Sequence, residues 1–139
     1  MPSALQRLTL VEKTQQPTEL GRELIAQLKQ SGVTIESRAD IRLVIEPARY
    51  NRRAVILDSS ANAKEYELSG EAGFAIYQGD SEAPAVERRV TALRTVLEQS
   101  TGSTDATLSQ ETLESRYRKE INSALAEQII RQYLSYVPR

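Results

Sequence analysis

Arginine is the residue type in this chain best equipped to do chemistry. Arg49, Arg52 and Arg53 crowd just ahead of the apolar segment Val55–Leu57, and Lys64 follows the intervening turn. Guanidinium groups present a planar fork of donors that suits phosphate and carboxylate, so the cluster reads as an anion site. A solvated loop is the duller account. Arg88, Arg89 and Arg94 pose the same question further along. Arg88 and Arg94 have the same parity, so on a strand they share a face and would make a basic stripe on an open sheet face. Cross-strand pairing with Glu67 and Glu71 is the competing reading.

Other chemistries find little support. The chain has no His, which removes the usual general base near neutral pH and the commonest metal ligand. It has no Cys, which excludes a disulfide framework and a thiolate metal site. Glu111, Glu114, Glu120 and Glu127 sit in a helical segment with Arg118, Lys119 and Arg131. Their spacing allows pairs such as Glu114–Arg118 and Glu127–Arg131, one helical turn apart. A catalytic carboxylate pair would need convergence in a pocket, which nothing in the pattern suggests. Gly70-Glu71-Ala72-Gly73 lacks the Lys-Ser/Thr end of a phosphate loop and does not open a helix. The six tyrosines are scattered and read as core and rim residues, not as a base-stacking platform. No catalytic residue, metal site or cofactor is expected.

The elements that must position the basic residues follow from periodicity. Leu8 and Leu10 share one face of a short strand over Leu5–Val11. Thr18 is a good N-cap for a helix over Glu19–Ser31, with Leu20, Leu24, Ile25 and Leu28 at helical spacing and Gly32 where a C-cap glycine belongs. Val33–Ile35 reads as a short extended return. Ile41, Leu43 and Ile45 alternate within Asp40–Glu46, and Pro47 marks an edge, bulge or bend. Extended structure resumes over Tyr50–Leu57, and Asp58–Asn62 has turn chemistry. Tyr66, Leu68, Gly70, Ala72, Phe74 and Ile76 share one face of the strand Tyr66–Tyr77. After a loop over Gln78–Pro84 comes a strand over Val86–Leu97, marked by Val86, Val90 and Val96. Gln99–Asp105 is polar and reads as a mobile connection. Thr107 and Gln110 fit a capping box for a closing helix over Thr107–Tyr136. Its apolar stripe is Leu113, Tyr117, Ile121, Ala124, Leu125, Ile129 and Tyr133.

The order is β-α-β-β-β-α. It predicts one α+β domain over residues 1–139: a two-layer sandwich with a mainly antiparallel sheet of about four strands and both helices on one face. The other sheet face is left partly open. The 18 basic and 19 acidic residues leave a net charge of −1, so no bulk attraction to nucleic acid follows. The longest apolar runs are far short of the ~20 residues of a membrane-spanning helix. Met1-Pro2-Ser3 reads as an abrupt start, with a targeting segment expected upstream.

Three stretches resemble the lipopolysaccharide-assembly lipoprotein family LptE, also called RlpB. Leu5-Gln6-Arg7-Leu8-Thr9-Leu10, followed by Leu20 to Val33, is similar to the family's opening strand and its helix ending in an Asn/Ser-Gly-Val turn. Ala63-Lys64-Glu65-Tyr66-Glu67-Leu68 is similar to its Ala-x-Glu-Tyr-x-hydrophobic strand start. Tyr117 to Ile121 and Ala126 to Arg131 resemble its closing helix. The resemblance implies a periplasm-facing lipoprotein of the Gram-negative outer membrane. It implies a protein without enzymatic activity or cofactor that plugs the β-barrel protein LptD, helps it assemble and binds lipopolysaccharide. In the family a lipidated N-terminal Cys is the anchor, and no Cys is present in this sequence. Family members use basic residues near the tip of the central hairpin for lipopolysaccharide. The tip Asp58–Asn62 has none here, and the nearest candidates are Arg52, Arg53 and Lys64, which match no family position residue by residue. Readings from other classes are a stand-alone periplasmic carrier or adaptor, an RNA-binding α+β module and a carboxylate hydrolase.

Overall fold

The computed structural model describes residues 2–57, 63–97 and 104–139, with side chains at 2–57, 65–96 and 114–139. A 3-10 turn at Ser3–Gln6 leads into β1 (Arg7–Glu12), and α1 (Glu19–Gln30) follows. The strands β2 (Thr34–Ile35), β3 (Ile41–Ile45), β4 (Arg49–Leu57), β5 (Ala63–Gln78) and β6 (Val86–Leu97) come next, and α2 (Thr104–Leu134) closes the fold.

Thr18 caps α1 as its sequence demands. Its hydroxyl accepts from the Gly21 N–H at 3.0 Å and donates to Glu12 Oε1 at 2.6 Å. Glu12 reaches from β1 over the start of α1 and also accepts from the Thr18 N–H at 3.2 Å. The helix ends at Gln30 with Ser31 as its C-cap, and the next residue, Gly32, has a φ of 86°, in the left-handed region that favours glycine. Leu20, Leu24 and Leu28 are fully buried along one side.

The sheet differs from the expected one. Among the described residues it has six strands and is mixed: β1 pairs in parallel with both β2 and β3, and the pairs involving β5 are antiparallel. The parallel part arises because α1 is a crossover connection, which returns the chain in the direction of β1. The two-residue β2 is a real edge strand beside β1. β3 and β4 follow one another along one edge of β5, and β6 lines the other edge. Pro47 explains the break between β3 and β4, since it has no N–H for the ladder. The Glu46 N–H just before it still bonds to Gly73 O at 2.9 Å.

Both helices pack on one face, as the sequence reading expects. Their buried side chains join those of β1, β3, β5 and β6 in a single core, and Gln27 of α1 donates to Ser123 O of α2 at 3.1 Å. The buried stripe of α2 is Ile121, Asn122, Leu125, Ala126, Ile129, Ile130 and Tyr133; it takes in Asn122, Ala126 and Ile130 beyond the expected positions, while Tyr117 and Ala124 are only partly buried. Two adjacent positions per turn are covered because α2 faces the sheet and α1 together. The Tyr133 hydroxyl donates to Leu5 O at 2.6 Å, and burial pushes its phenol up to about 12. Gly70 of β5 lets the helix come close. A Cβ there would stand 2.5 Å from Ile121 Cγ2.

α2 begins at Thr104, so Thr107 lies inside the helix and is not its N-cap. Asp105 and Ala106 suit a first helical turn and extend it backwards. The side chains of Thr107, Gln110 and Leu113 lie outside the described residues, as do the turn Asp58–Asn62 and the connection at 99–103.

Candidate functional site: a charged groove and an open sheet face

Register settles which basic residues face where. Directly opposed residues of antiparallel strands share a face. Tyr50, Arg52 and Ala54 oppose Gly70, Leu68 and Tyr66, so they point to the helix side. Arg49, Asn51 and Arg53 oppose Glu71, Ser69 and Glu67 on the open side. Arg52 and Arg53, neighbours in the sequence, thus serve opposite faces, and the side chain of Lys64 lies outside the described residues.

Arg88 and Arg94 do share a face, but it is the helix side. They oppose Phe74 and Leu68, and Arg94 Nε stands 3.8 Å from Glu120 Oε2 of α2. The signal was present in the sequence: Val86, Val90 and Val96 have the same parity and mark the core side. On β6 the basic residue that faces the open side is Arg89, opposite Gly73. It sits 3.5 Å from Glu71 and 3.7 Å from Glu46, and Glu46 sits 4.0 Å from Lys13. A ladder of alternating charge therefore crosses β1, the end of β3, β5 and β6. Gly73 makes room for it, since a Cβ there would lie 2.7 Å from Glu46 Oε2. Arg53 and Glu67 add a further pair at 3.7 Å. Of the two acidic partners proposed from the sequence, Glu71 is held by Arg89 and Glu67 by Arg53. Arg42 lies over the Tyr77 ring at 5.0 Å near the far end of this face.

On the helix side a groove of about 460 Å³ opens between β4, β5 and the first described side chains of α2. Tyr50, Arg52, Leu68, Glu114 and Arg118 are among its walls, with Glu19 at the start of α1. Two rungs cross it. In the first, Arg52 lies over the Tyr66 ring at 4.0 Å and its Nη1 approaches Glu114 Oε1 at 2.9 Å. In the second, Arg118 lies over the Tyr50 ring at 4.6 Å, and the Tyr50 hydroxyl donates to the buried Asn122 Oδ1 at 2.7 Å. Burial raises the Tyr50 phenol above its ordinary value, and Glu19 adds to this, against the opposing pull of the Asn122 hydrogen bond and Arg118. The helical pair Glu127–Arg131 forms at 3.0 Å. The analogous pair Glu114–Arg118 does not form; Glu114 meets Arg52 and Arg118 meets the Tyr50 ring, both on β4. Sequence reasoning missed Tyr50, Arg118 and Asn122 as a group, since only tertiary packing brings them together.

Among the described residues, no cluster of three or more His, Cys, Asp or Glu could hold a metal ion, and no helix is long and apolar enough to cross a membrane. The surface instead offers two charged, solvent-facing platforms, one on each side of β4 and β5.

The family model LptE, described as lipopolysaccharide-assembly, matches residues 5–133. The chain belongs to this family. The LptE match spans every element from β1 to nearly the end of α2, including all three stretches that carry the resemblance in sequence. Solved structures share the fold. Rare lipoprotein B from Shewanella oneidensis is 22% identical with a TM-score of 0.75, covering 93% of this chain and 94% of that one. A minor lipoprotein from Acinetobacter baumannii is 25% identical with a TM-score of 0.65, covering 95% and 92%. Lipoprotein B from Nitrosomonas europaea is 17% identical with a TM-score of 0.68, covering 92% and 81%. No curated protein matches the sequence. As a member of the LptE family, the chain has a role in lipopolysaccharide assembly.

Proposed function

We propose that the protein is a non-enzymatic component of the outer-membrane lipopolysaccharide assembly complex. In this reading it plugs the LptD-type β-barrel, helps it assemble, and binds lipopolysaccharide for delivery to the outer leaflet. It faces the periplasm, held by an N-terminal lipid anchor. The carrying observation is the family match across nearly the whole domain. The open sheet face supports it physically. The lumen of a large barrel is polar, and a face crossed by the Lys13–Glu46–Arg89–Glu71 ladder suits such a wall better than it suits lipid. Arg52, Arg53 and Lys64 are proposed as lipopolysaccharide contacts, with Arg52 and Arg53 acting from opposite faces of the sheet and not as one cluster.

The test is co-expression with the LptD-type barrel of the same genome. A stable complex of one chain per barrel that survives purification is the expected result. Failure of the two to co-purify, with each separately folded, refutes the plug assignment.

A further inference from the structure

The groove between β4 and α2 holds an arrangement that a purely structural ion pair does not explain. Glu114 Oε1 is buried and makes no hydrogen bond, although Arg52 Nη1 is only 2.9 Å away. The approach is therefore misaligned: charge attracts, but no donor is aimed at the oxygen. The Arg52 side chain remains half-exposed, and its stacking on Tyr66 fixes the guanidinium plane and leaves donor edges free. Arg118, stacked on Tyr50 across the same groove, makes no ion pair among the described residues. Two oriented guanidinium forks thus line one groove, against two carboxylates in its walls, the poorly seated Glu114 and Glu19 at the start of α1.

We infer that this groove recognises a phosphate group through Arg52 and Arg118, and that Glu114 is its internal competitor, releasing Arg52 when the phosphate enters. A phosphate has acceptor oxygens on several sides and takes bidentate contacts that the misaligned carboxylate does not. Arg52 must exchange partners, so the attraction of Glu114 is subtracted from the affinity. This inference rests on the reading that the chain binds lipopolysaccharide. It deepens that reading by naming the group recognised and the residue that opposes binding. The shared chemistry is a phosphate, either on a lipid headgroup or free in solution.

The experiment titrates the full chain with purified lipopolysaccharide, with the same material enzymatically dephosphorylated, and with inorganic pyrophosphate. The variants are Glu114→Gln, Arg118→Gln and the two combined. Glu114→Gln is expected to bind phosphorylated lipopolysaccharide about two- to fivefold more tightly, the factor set by releasing a partly exposed ion pair. Arg118→Gln is expected to weaken binding and to remove most of that gain in the double variant. Dephosphorylation should abolish the difference between parent and Glu114→Gln. Pyrophosphate that binds and shows the same ranking of variants makes the phosphate itself the recognised unit. Ranking confined to lipopolysaccharide makes it the headgroup. A parent that binds with Glu114→Gln equal or weaker overturns the competitor role alone. Equal binding of dephosphorylated material overturns the phosphate site. A parent that binds no lipopolysaccharide at all overturns the function proposed above and this inference with it. Thermal melts of each variant show that the fold is kept, and the conservative Gln replacements are chosen for that reason.

Discussion

The contact of α2 with the sheet turns on Gly70, and a substitution there has a sign that can be worked out beforehand. Gly70 does not have a positive φ, so its backbone accepts alanine. Taken alone, Gly→Ala at such a site stabilises by about 0.4–1 kcal/mol, through the lower entropy of the unfolded chain. Against this, the new Cβ would stand 2.5 Å from Ile121 Cγ2, and 3.4 Å and 3.5 Å from Leu125 Cδ1 and Tyr50 Cδ1. Ile121 is β-branched, buried and helical, so its methyl does not swing away easily. Overpacking of this kind costs about 1–3 kcal/mol. Gly70→Ala is therefore expected to destabilise by roughly 1–2 kcal/mol net. Ile121→Ala alone costs about 2–5 kcal/mol. In that background the obstacle is gone, and Gly70→Ala should change sign and stabilise by about 0.4–1 kcal/mol. The coupling between the two sites is then on the order of 2 kcal/mol. Urea unfolding of the four proteins measures it from midpoints and slopes. A Gly70→Ala that is neutral or stabilising in the parent would refute the close packing of α2 on β5. An equal cost in both backgrounds would place the effect elsewhere than at Ile121.

Three further outcomes are expected. Stability should fall between pH 10 and about 12, the window set by the raised Tyr133 phenol. There the unfolded phenol has lost its proton while the folded one keeps it, so the unfolded state binds fewer protons and rising pH favours it. Tyr133→Phe should flatten that part of the profile while lowering stability at neutral pH by about 1–3 kcal/mol through the unpaired Leu5 carbonyl, and an unchanged alkaline slope would contradict this. Thr18→Ala should cost about 1–2 kcal/mol in denaturant unfolding, since it removes both the α1 cap and the hydroxyl held by Glu12; a loss of only a few tenths would mean that the cap contributes little. Arg52→Glu with Arg53→Glu should weaken lipopolysaccharide binding while a cooperative melt is retained, and unchanged affinity would place the ligand elsewhere.

Much of this molecule is a local matter. Thr18 and Gly32 bound α1, because a cap hydroxyl and a left-handed glycine act on their own backbone neighbours. The alternation at Ile41–Ile45 and along β5, and the leucine spacing of α1, fix which side of each element is apolar. Those are properties of short segments, and the family resemblance rests on the same segments. Even the facing of Arg88 and Arg94 was legible through the valines that share their parity.

Partner strands, by contrast, are chosen by the whole chain. That β1 lies in parallel between β2 and β3, and that β3 and β4 share one edge of β5, depends on where α1 returns the chain and where Pro47 breaks the ladder. The charged groove is more distant still from the sequence. Glu114 and Arg118 have the spacing of a helical pair, yet each is drawn to a residue of β4 more than sixty positions earlier, Arg52 and Tyr50 respectively. Helix spacing sets which side chains are able to meet. Once the helix is laid against the sheet, the competition between nearby charges and ring faces decides which of them do.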